Sequence, residues 1–447
     1  MKERLDMKDT LYISVMLFGL FFGAGNLIFP VYLGYMAGSG VWSAAAGFLV
    51  TGVGLPLLGV AALGVSRSSG LLELSGHVGE KYGYFFTCAL YLTIGPLFAI
   101  PRCATVSFTV GVAPLLGADA GALPLALFSL CFFAAVLAFS INPGKILTWV
   151  GKVLTPVFLV FLGAMVLTAL AAPVSEIQSA APQPAYASGG FAKGFLEGYN
   201  TMDALASLAF GIVVVNVIKG RRVENPKAIA ANTVKAGFLS CLIMAAIYLA
   251  ISVVGAQSGG LYESCSNGGE ILAIVARHYF GGTGAFVLAA TVTLACLKTA
   301  VGLVTSCSES FSAMFTNGGA YRRWSIIFTA ASLLIANLGL NAIIAYAVPV
   351  LMFLYPLAIT LILLGLFGGA FAHDRTVYRS VTAFTLAAAF FDLIKALPQE
   401  AVSALSLGGA IEAAGRVLPF YDIGMGWICP ALAGLAAGLI IRKRRSA

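Results

Sequence analysis

The sequence predicts an all-α polytopic membrane protein of about twelve transmembrane helices, and three observations carry that prediction. Hydrophobic residues make up 60% of the 447-residue chain. Charged residues make up only 10%, against roughly 25% in an ordinary soluble domain. Apolar runs of about 20 residues recur from end to end, each long enough to cross a hydrocarbon core about 30 Å thick.

Twelve spans fall near residues 10–36, 41–65, 82–113, 121–141, 148–171, 191–218, 233–256, 284–314, 325–340, 342–370, 377–397 and 421–441. Together they fill residues 1–447 as a single transmembrane domain with no separate soluble unit. With the N-terminus inside, the alternate inner segments hold 20 Lys and Arg, among them Lys2, Arg4, Arg67, Lys145, Lys152 and Arg222. The outer segments hold only Lys193, Arg277 and Arg416. This asymmetry predicts an even number of crossings with both termini cytoplasmic. It also assigns the net charge of +8 to the inner membrane surface, where anionic lipid attracts it, and not to nucleic acid. The leader MKERLDMKD carries acids and precedes an apolar run longer than a usual signal core, so a cleaved signal peptide is not expected. The eight cysteines show no paired spacing, and no disulfide framework is expected.

Within spans, polar residues and glycine clusters are costly unless they are used. Span 1 carries GLFFGAGNLIFP, with Gly19, Gly23, Gly25, Asn26 and Pro30 in twelve residues. Glycine costs about 1 kcal/mol in a helix relative to alanine, so the cluster invites a break. A break exposes backbone N–H and C=O groups that can hold a carboxylate and a cation. The same glycines would also suit close helix packing.

Span 3 carries GPLFAIPRCATVSF, where Pro96 and Pro101 can bend the helix beside Arg102. Arg102 either contacts an anionic ligand or pairs with Asp203, and the pair is the favoured reading. Span 6 carries EGYNTMDALASLAFG, in which Asn200, Thr201, Asp203 and Ser207 interrupt an apolar helix. A second break is expected there, five spans after the first. That position fits an inverted repeat of five helices plus five: a first repeat at about 10–171, a second at about 191–370, and two additional helices at about 377–441.

Span 8 carries LKTAVGLVTSCSES, where the Thr305 and Ser306 hydroxyls suit a hard cation or bond back to their own helix. Lys298 lies two turns earlier and needs a partner or a route to water. Pro349 and Pro356 are expected to bend span 10. Asp392 and Lys395, one turn apart in span 11, read as a local ion pair. His77, His278 and His373 fall in loops and are read as far apart, and no metal-ligand or nucleotide-binding spacing appears. An enzyme is therefore not expected. A channel would be built on repeated carbonyl filters or charge rings, which two unlike broken helices do not supply.

The segments GLFFGAGNLIFP, GPLFAIPRCATVSF, GYNTMDALASLAFG and AVGLVTSC together closely resemble the branched-chain amino acid:cation symporter family, over essentially the whole chain. VENPKAIAANTVKAG, after span 6, resembles a loop of the wider amino acid–polyamine–organocation superfamily. The resemblance implies a leucine-transporter-like fold with broken helices 1 and 6. It implies sodium-driven import of leucine, isoleucine and valine across a bacterial plasma (inner) membrane, with no cofactor beyond the coupling ion and no obligatory protein partner.

It further implies substrate contacts from Gly23, Ala24, Gly25 and Asn26, with the Ala24 and Gly25 amides on the carboxylate. Span 6 backbone around Ala204, Leu205 and Ser207 would face the ammonium group, and Arg102 would stand nearby. The sodium ligands implied are the Gly19, Phe22 and Gly302 carbonyls and the Thr305 and Ser306 hydroxyls. Lys298 departs from this pattern, because some proteins of this fold replace sodium by a lysine that takes up a proton. Proton-coupled transport of another small neutral amino acid is thus the competing expectation.

Overall fold

The computed structural model describes residues 5–66, 68, 70–116, 122–141, 155–177, 180–221, 223, 225–259, 265–316 and 320–446. Lys2, Arg4, Arg67, Lys145, Lys152, Arg222 and the start of span 5 lie outside them. Among the described residues every regular element is helical. Eight stretches are long and apolar enough to cross a membrane by themselves. One of these, Ala24–Ser66, runs through the second half of span 1 and all of span 2. Shorter or less apolar helices account for the remaining spans: Met7–Phe21, Thr155–Ala171, Tyr321–Ala336 and Ile428–Ser446.

Span 1 is broken where the glycine cluster predicts. Met7–Phe21 ends, Phe22 and Gly23 adopt extended backbone, and Ala24–Ala37 starts a second half-helix. Span 6 is broken too. Gly190–Glu197 passes into a 3-10 turn, Gly198–Thr201, and Asp203–Gly220 resumes after Met202. Met202 sits in the left-handed region at φ 63°, which side chains larger than glycine seldom adopt. Span 3 bends at Gly95–Pro96, where Gly95 leaves helical geometry. Span 10 is one continuous helix, Leu340–Phe367, that carries Pro349 and Pro356 inside it.

The helix of span 8 starts earlier than its hydropathy implies. It runs Gly268–Thr316, with a kink at Gly281 (φ 61°, ψ −152°). Its start is fixed by reciprocal caps: the Glu270 amide donates to Asn267 Oδ1 at 3.1 Å, and the Ser266 amide donates to Glu270 Oε2 at 2.9 Å.

The second half of span 1 packs on span 7 (Pro226–Gln257) through two glycines in opposition. A methyl at Gly34 would meet the Ser252 carbonyl, and one at Gly255 would meet the Val31 carbonyl. Backbones approach this closely only where side chains are absent. At the start of span 11, Asp374 caps Arg375–Ala396 by accepting from the Thr376 amide at 2.7 Å.

Candidate substrate site at the two helix breaks

The breaks in spans 1 and 6 face each other across a buried cavity of about 30 Å³, enough for about one water and not for an amino acid. The structure is therefore closed around this point. The lining includes Gly23, Ala24, Gly25 and Asn26 from span 1, Arg102 from span 3 and Asp203 from span 6.

Asn26 ties the breaks together. Its Oδ1 accepts from the Gly23 amide at 2.8 Å, and its Nδ2 donates to Asp203 Oδ2 at 2.6 Å. Nδ2 also donates to the Tyr248 hydroxyl, which itself donates to Asp203 Oδ2 at 2.7 Å. Because the Gly23 amide turns to Asn26, it no longer serves the Gly19 carbonyl as the next helical bond would. Asp203 opens the half-helix Asp203–Gly220, where the helix dipole favours a negative group. Its own amide donates to Thr201 Oγ1 at 3.3 Å.

Arg102 lies on the other wall and is 3% exposed. Its Nη1 donates to the Asn200 carbonyl at 2.7 Å, and its guanidinium stands 4.9 Å from the Phe29 ring centre. Its Nε has no hydrogen-bond partner among the described residues. No ion pair joins Arg102 to Asp203 there, which corrects the favoured reading: Asp203 is held by Asn26 and Tyr248, and Arg102 by the span 6 carbonyl. Arg102 instead fills the space before Gly25, where a methyl would lie 2.6 Å from Nη2.

Three groups of expected residues lie away from the cavity. Ala204, Leu205 and Ser207 are fully buried outside the lining. Ser207 donates to the Ala204 carbonyl at 2.6 Å and packs against Gly59 of span 2. The span 8 set lies outside the lining as well. Gly302 faces the Leu20 side chain, Thr305 Oγ1 lies 3.4 Å from the Tyr321 hydroxyl, and Ser306 is buried outside the lining. The span 8 hydroxyl at the break is that of Thr299, which donates to the Phe22 carbonyl at 3.4 Å and to the Ala295 carbonyl at 3.1 Å. Lys298 is buried next to it, outside the lining.

Two further expectations are corrected. Asp392 and Lys395 form no ion pair among the described residues. Lys395 Nζ donates to the Tyr421 and Asp422 carbonyls at 2.8 and 3.0 Å. His77 and His373 are close in space, with ring centres 5.6 Å apart, and both stack on Tyr378. His278 lies within the Gly268–Thr316 helix. Tyr248 and Thr299 are site residues that sequence reasoning passed over. Tyr248 carries the only phenol of the IMAAIYLAIS run, and that hydroxyl was the available signal.

The chain matches the model of the branched-chain amino acid transport protein family over residues 6–445. It is 50% identical to the branched-chain amino acid permease BrnQ of Lactobacillus delbrueckii subsp. lactis, over 100% of each chain. It is 42% identical to BrnQ of Bacillus subtilis, over 99% of this chain and 98% of that one. It is 41% identical to the branched-chain amino acid transport system 2 carrier protein of Pseudomonas aeruginosa, over 97% and 95%. Among solved structures it resembles a nucleobase-cation-symport-1 family transporter in a closed conformation with bromovinylhydantoin bound. The TM-score is 0.57 at 15% identity, over 97% of this chain and 92% of that one. That likeness shows the shared leucine-transporter-like fold.

Proposed function

Because this chain belongs to the branched-chain amino acid transport protein family, we propose that it imports leucine, isoleucine and valine by sodium-driven symport across a bacterial inner membrane. Both termini lie on the cytoplasmic side in this reading. The observation that carries it is the start of the Ala24–Ala37 half-helix, set against Arg102 inside a water-poor cavity. The free amides of a helix N-terminus attract a carboxylate, and a guanidinium beside them strengthens the attraction. Asp203 and the carbonyls of the span 6 break offer acceptors for the ammonium group. Substrate enters only when the closed cavity opens, as alternating access requires.

Sodium travels as a second cargo. The Gly19 and Phe22 carbonyls at the end of Met7–Phe21 supply two oxygens, and the Thr299 hydroxyl supplies a third. Neutral oxygens suit a singly charged ion better than calcium, which recruits carboxylates. The competing reading is proton coupling of another small neutral amino acid, with Lys298, buried next to Thr299, taking up the proton.

Uptake of radiolabelled leucine into proteoliposomes separates these readings. Uphill uptake under a sodium gradient alone, competed by isoleucine and valine, is expected. Uptake that follows a pH gradient without sodium, and is uncoupled in Lys298→Ala, would replace sodium by a proton.

A further inference from the structure

A groove between spans 10, 11 and 12 encloses about 600 Å³ and shares no lining residue with the central cavity. Its walls are apolar: Leu363 and Phe367 of span 10, Phe371 of the turn Gly368–Phe371, and a stripe on span 12. Thr360 also lines it, and its hydroxyl donates to the Pro356 carbonyl at 2.9 Å. The groove is open along its length, since Phe367 is 64% exposed and Leu432 61%.

Span 12 gives the groove a direction. Ile428, Ala431, Leu432, Leu435 and Leu439 recur at three- and four-residue spacing and so share one helix face. From Ile428 to Leu439 that face is about 17 Å long, close to half of a hydrocarbon core about 30 Å thick. The groove therefore has the length of one leaflet. Arg442 and Lys443 follow Leu439 by three and four residues, so the same face turns from apolar to basic where the leaflet ends. Arg445 adds a further charge at this end, with its Nη1 donating to Thr376 Oγ1 at 3.1 Å. Asp374, beside Arg442, already accepts from the Thr376 amide. In the proposed orientation this end faces the cytoplasm, where the membrane surface is negative.

We propose that the groove is a lipid site for a glycerophospholipid with a net negative headgroup: one acyl chain lies along span 12, and Arg442 and Lys443 hold the phosphate. Any bilayer lipid can cover a flat helix face. A recess of leaflet length with cations at one end selects an aliphatic chain joined to an anion. A peptide would leave its backbone groups unmatched along these walls. The assignment does not depend on what the central cavity transports.

Trp427 lines the groove at the end away from the charges, so an acyl chain carrying bromine should quench its fluorescence on entering. The test uses the full chain with Trp42, Trp149 and Trp324 replaced by Phe, in phosphatidylcholine bilayers. Brominated phosphatidylglycerol or, at the same fraction, brominated phosphatidylcholine is added. Phosphatidylglycerol should bind about fivefold more tightly. Arg442→Gln with Lys443→Gln should remove that preference, and Ala431→Phe, which fills the groove, should cut quenching by both lipids. Equal quenching by the two lipids before the charge changes would overturn the proposal. So would a preference that survives the double change, or quenching untouched by Ala431→Phe. If the single-tryptophan protein fails to fold, native mass spectrometry of the unaltered chain carries the test. Phosphatidylglycerol should then be retained over phosphatidylcholine and lost in the double variant, and equal retention would overturn the site.

Discussion

The two helix breaks that meet at the central cavity are built differently. In span 1 the chain crosses the gap with two extended residues, Phe22 and Gly23. In span 6 it crosses with a 3-10 turn closed by a left-handed Met202. The first break offers mainly backbone: carbonyls on one side, amides on the other, and a glycine where Arg102 approaches. The second offers a carboxylate, and that carboxylate is already bonded to Asn26 and Tyr248. The first break thus offers ligands backbone groups, while the second, whose carboxylate and carbonyls face the same cavity, is also fastened to it by side chains. Unwinding a membrane helix frees polar groups in either case, and the neighbouring residues decide whether a cargo or the protein itself satisfies them.

The difference can be broken at its strongest point first. Gly25→Val places a side chain where Arg102 now lies, and overpacking of this kind costs about 1–3 kcal/mol or more. Leucine uptake should fall to background while surface expression persists. Normal uptake would mean that the first break holds no ligand at Gly25.

Fastening is tested by a double-mutant cycle. Asn26→Ala and Asp203→Ala should each damage thermal stability in micelles, since a hydrogen bond to a buried charged group is worth about 1.5–3 kcal/mol. Their coupling should reach about 1–3 kcal/mol. The corresponding cycle for Arg102 and Asp203 should give a smaller coupling. The reverse order would restore the direct pair.

The smallest effect sharpens the ion reading. Thr299→Ala removes a neutral hydroxyl, and a net loss of about 1 kcal/mol should raise the sodium concentration for half-maximal uptake about fivefold. Replacing both Thr305 and Ser306 by alanine should leave that concentration in place. If instead the pair shifts it and Thr299 does not, the ion lies two turns further along span 8.

That last contrast shows where the sequence stops being legible. Both breaks announce themselves locally, through Gly19 to Pro30 and through the polar run before Asp203, because hydrocarbon makes such residues expensive. The register between helices does not announce itself. Thr299 and Ser306 are seven residues apart and share one helix face, differing by about 10 Å in height, so periodicity cannot choose between them. Asn26, Asp203 and Tyr248 come from three spans, and nothing local to any of them names the other two. His77 and His373 met for the same reason, since loops distant in sequence end on one surface. The early start of the span 8 helix was legible and was passed over: Asn267 three residues before Glu270 is a capping pattern.

The opposed glycines Gly34 and Gly255 carry a mechanical consequence. With the two backbones in contact and no side chain between them to yield, the second half of span 1 and span 7 act as one stiff lever. The first half, Met7–Phe21, packs along span 7 as well, and the Leu5 amide just before it donates to Asn232 Oδ1 of that helix at 3.3 Å. One helix therefore braces both halves of span 1 across the extended Phe22–Gly23 joint. The residues that release the Gly19 carbonyl and face Thr299 are held in place from both sides by a single neighbour.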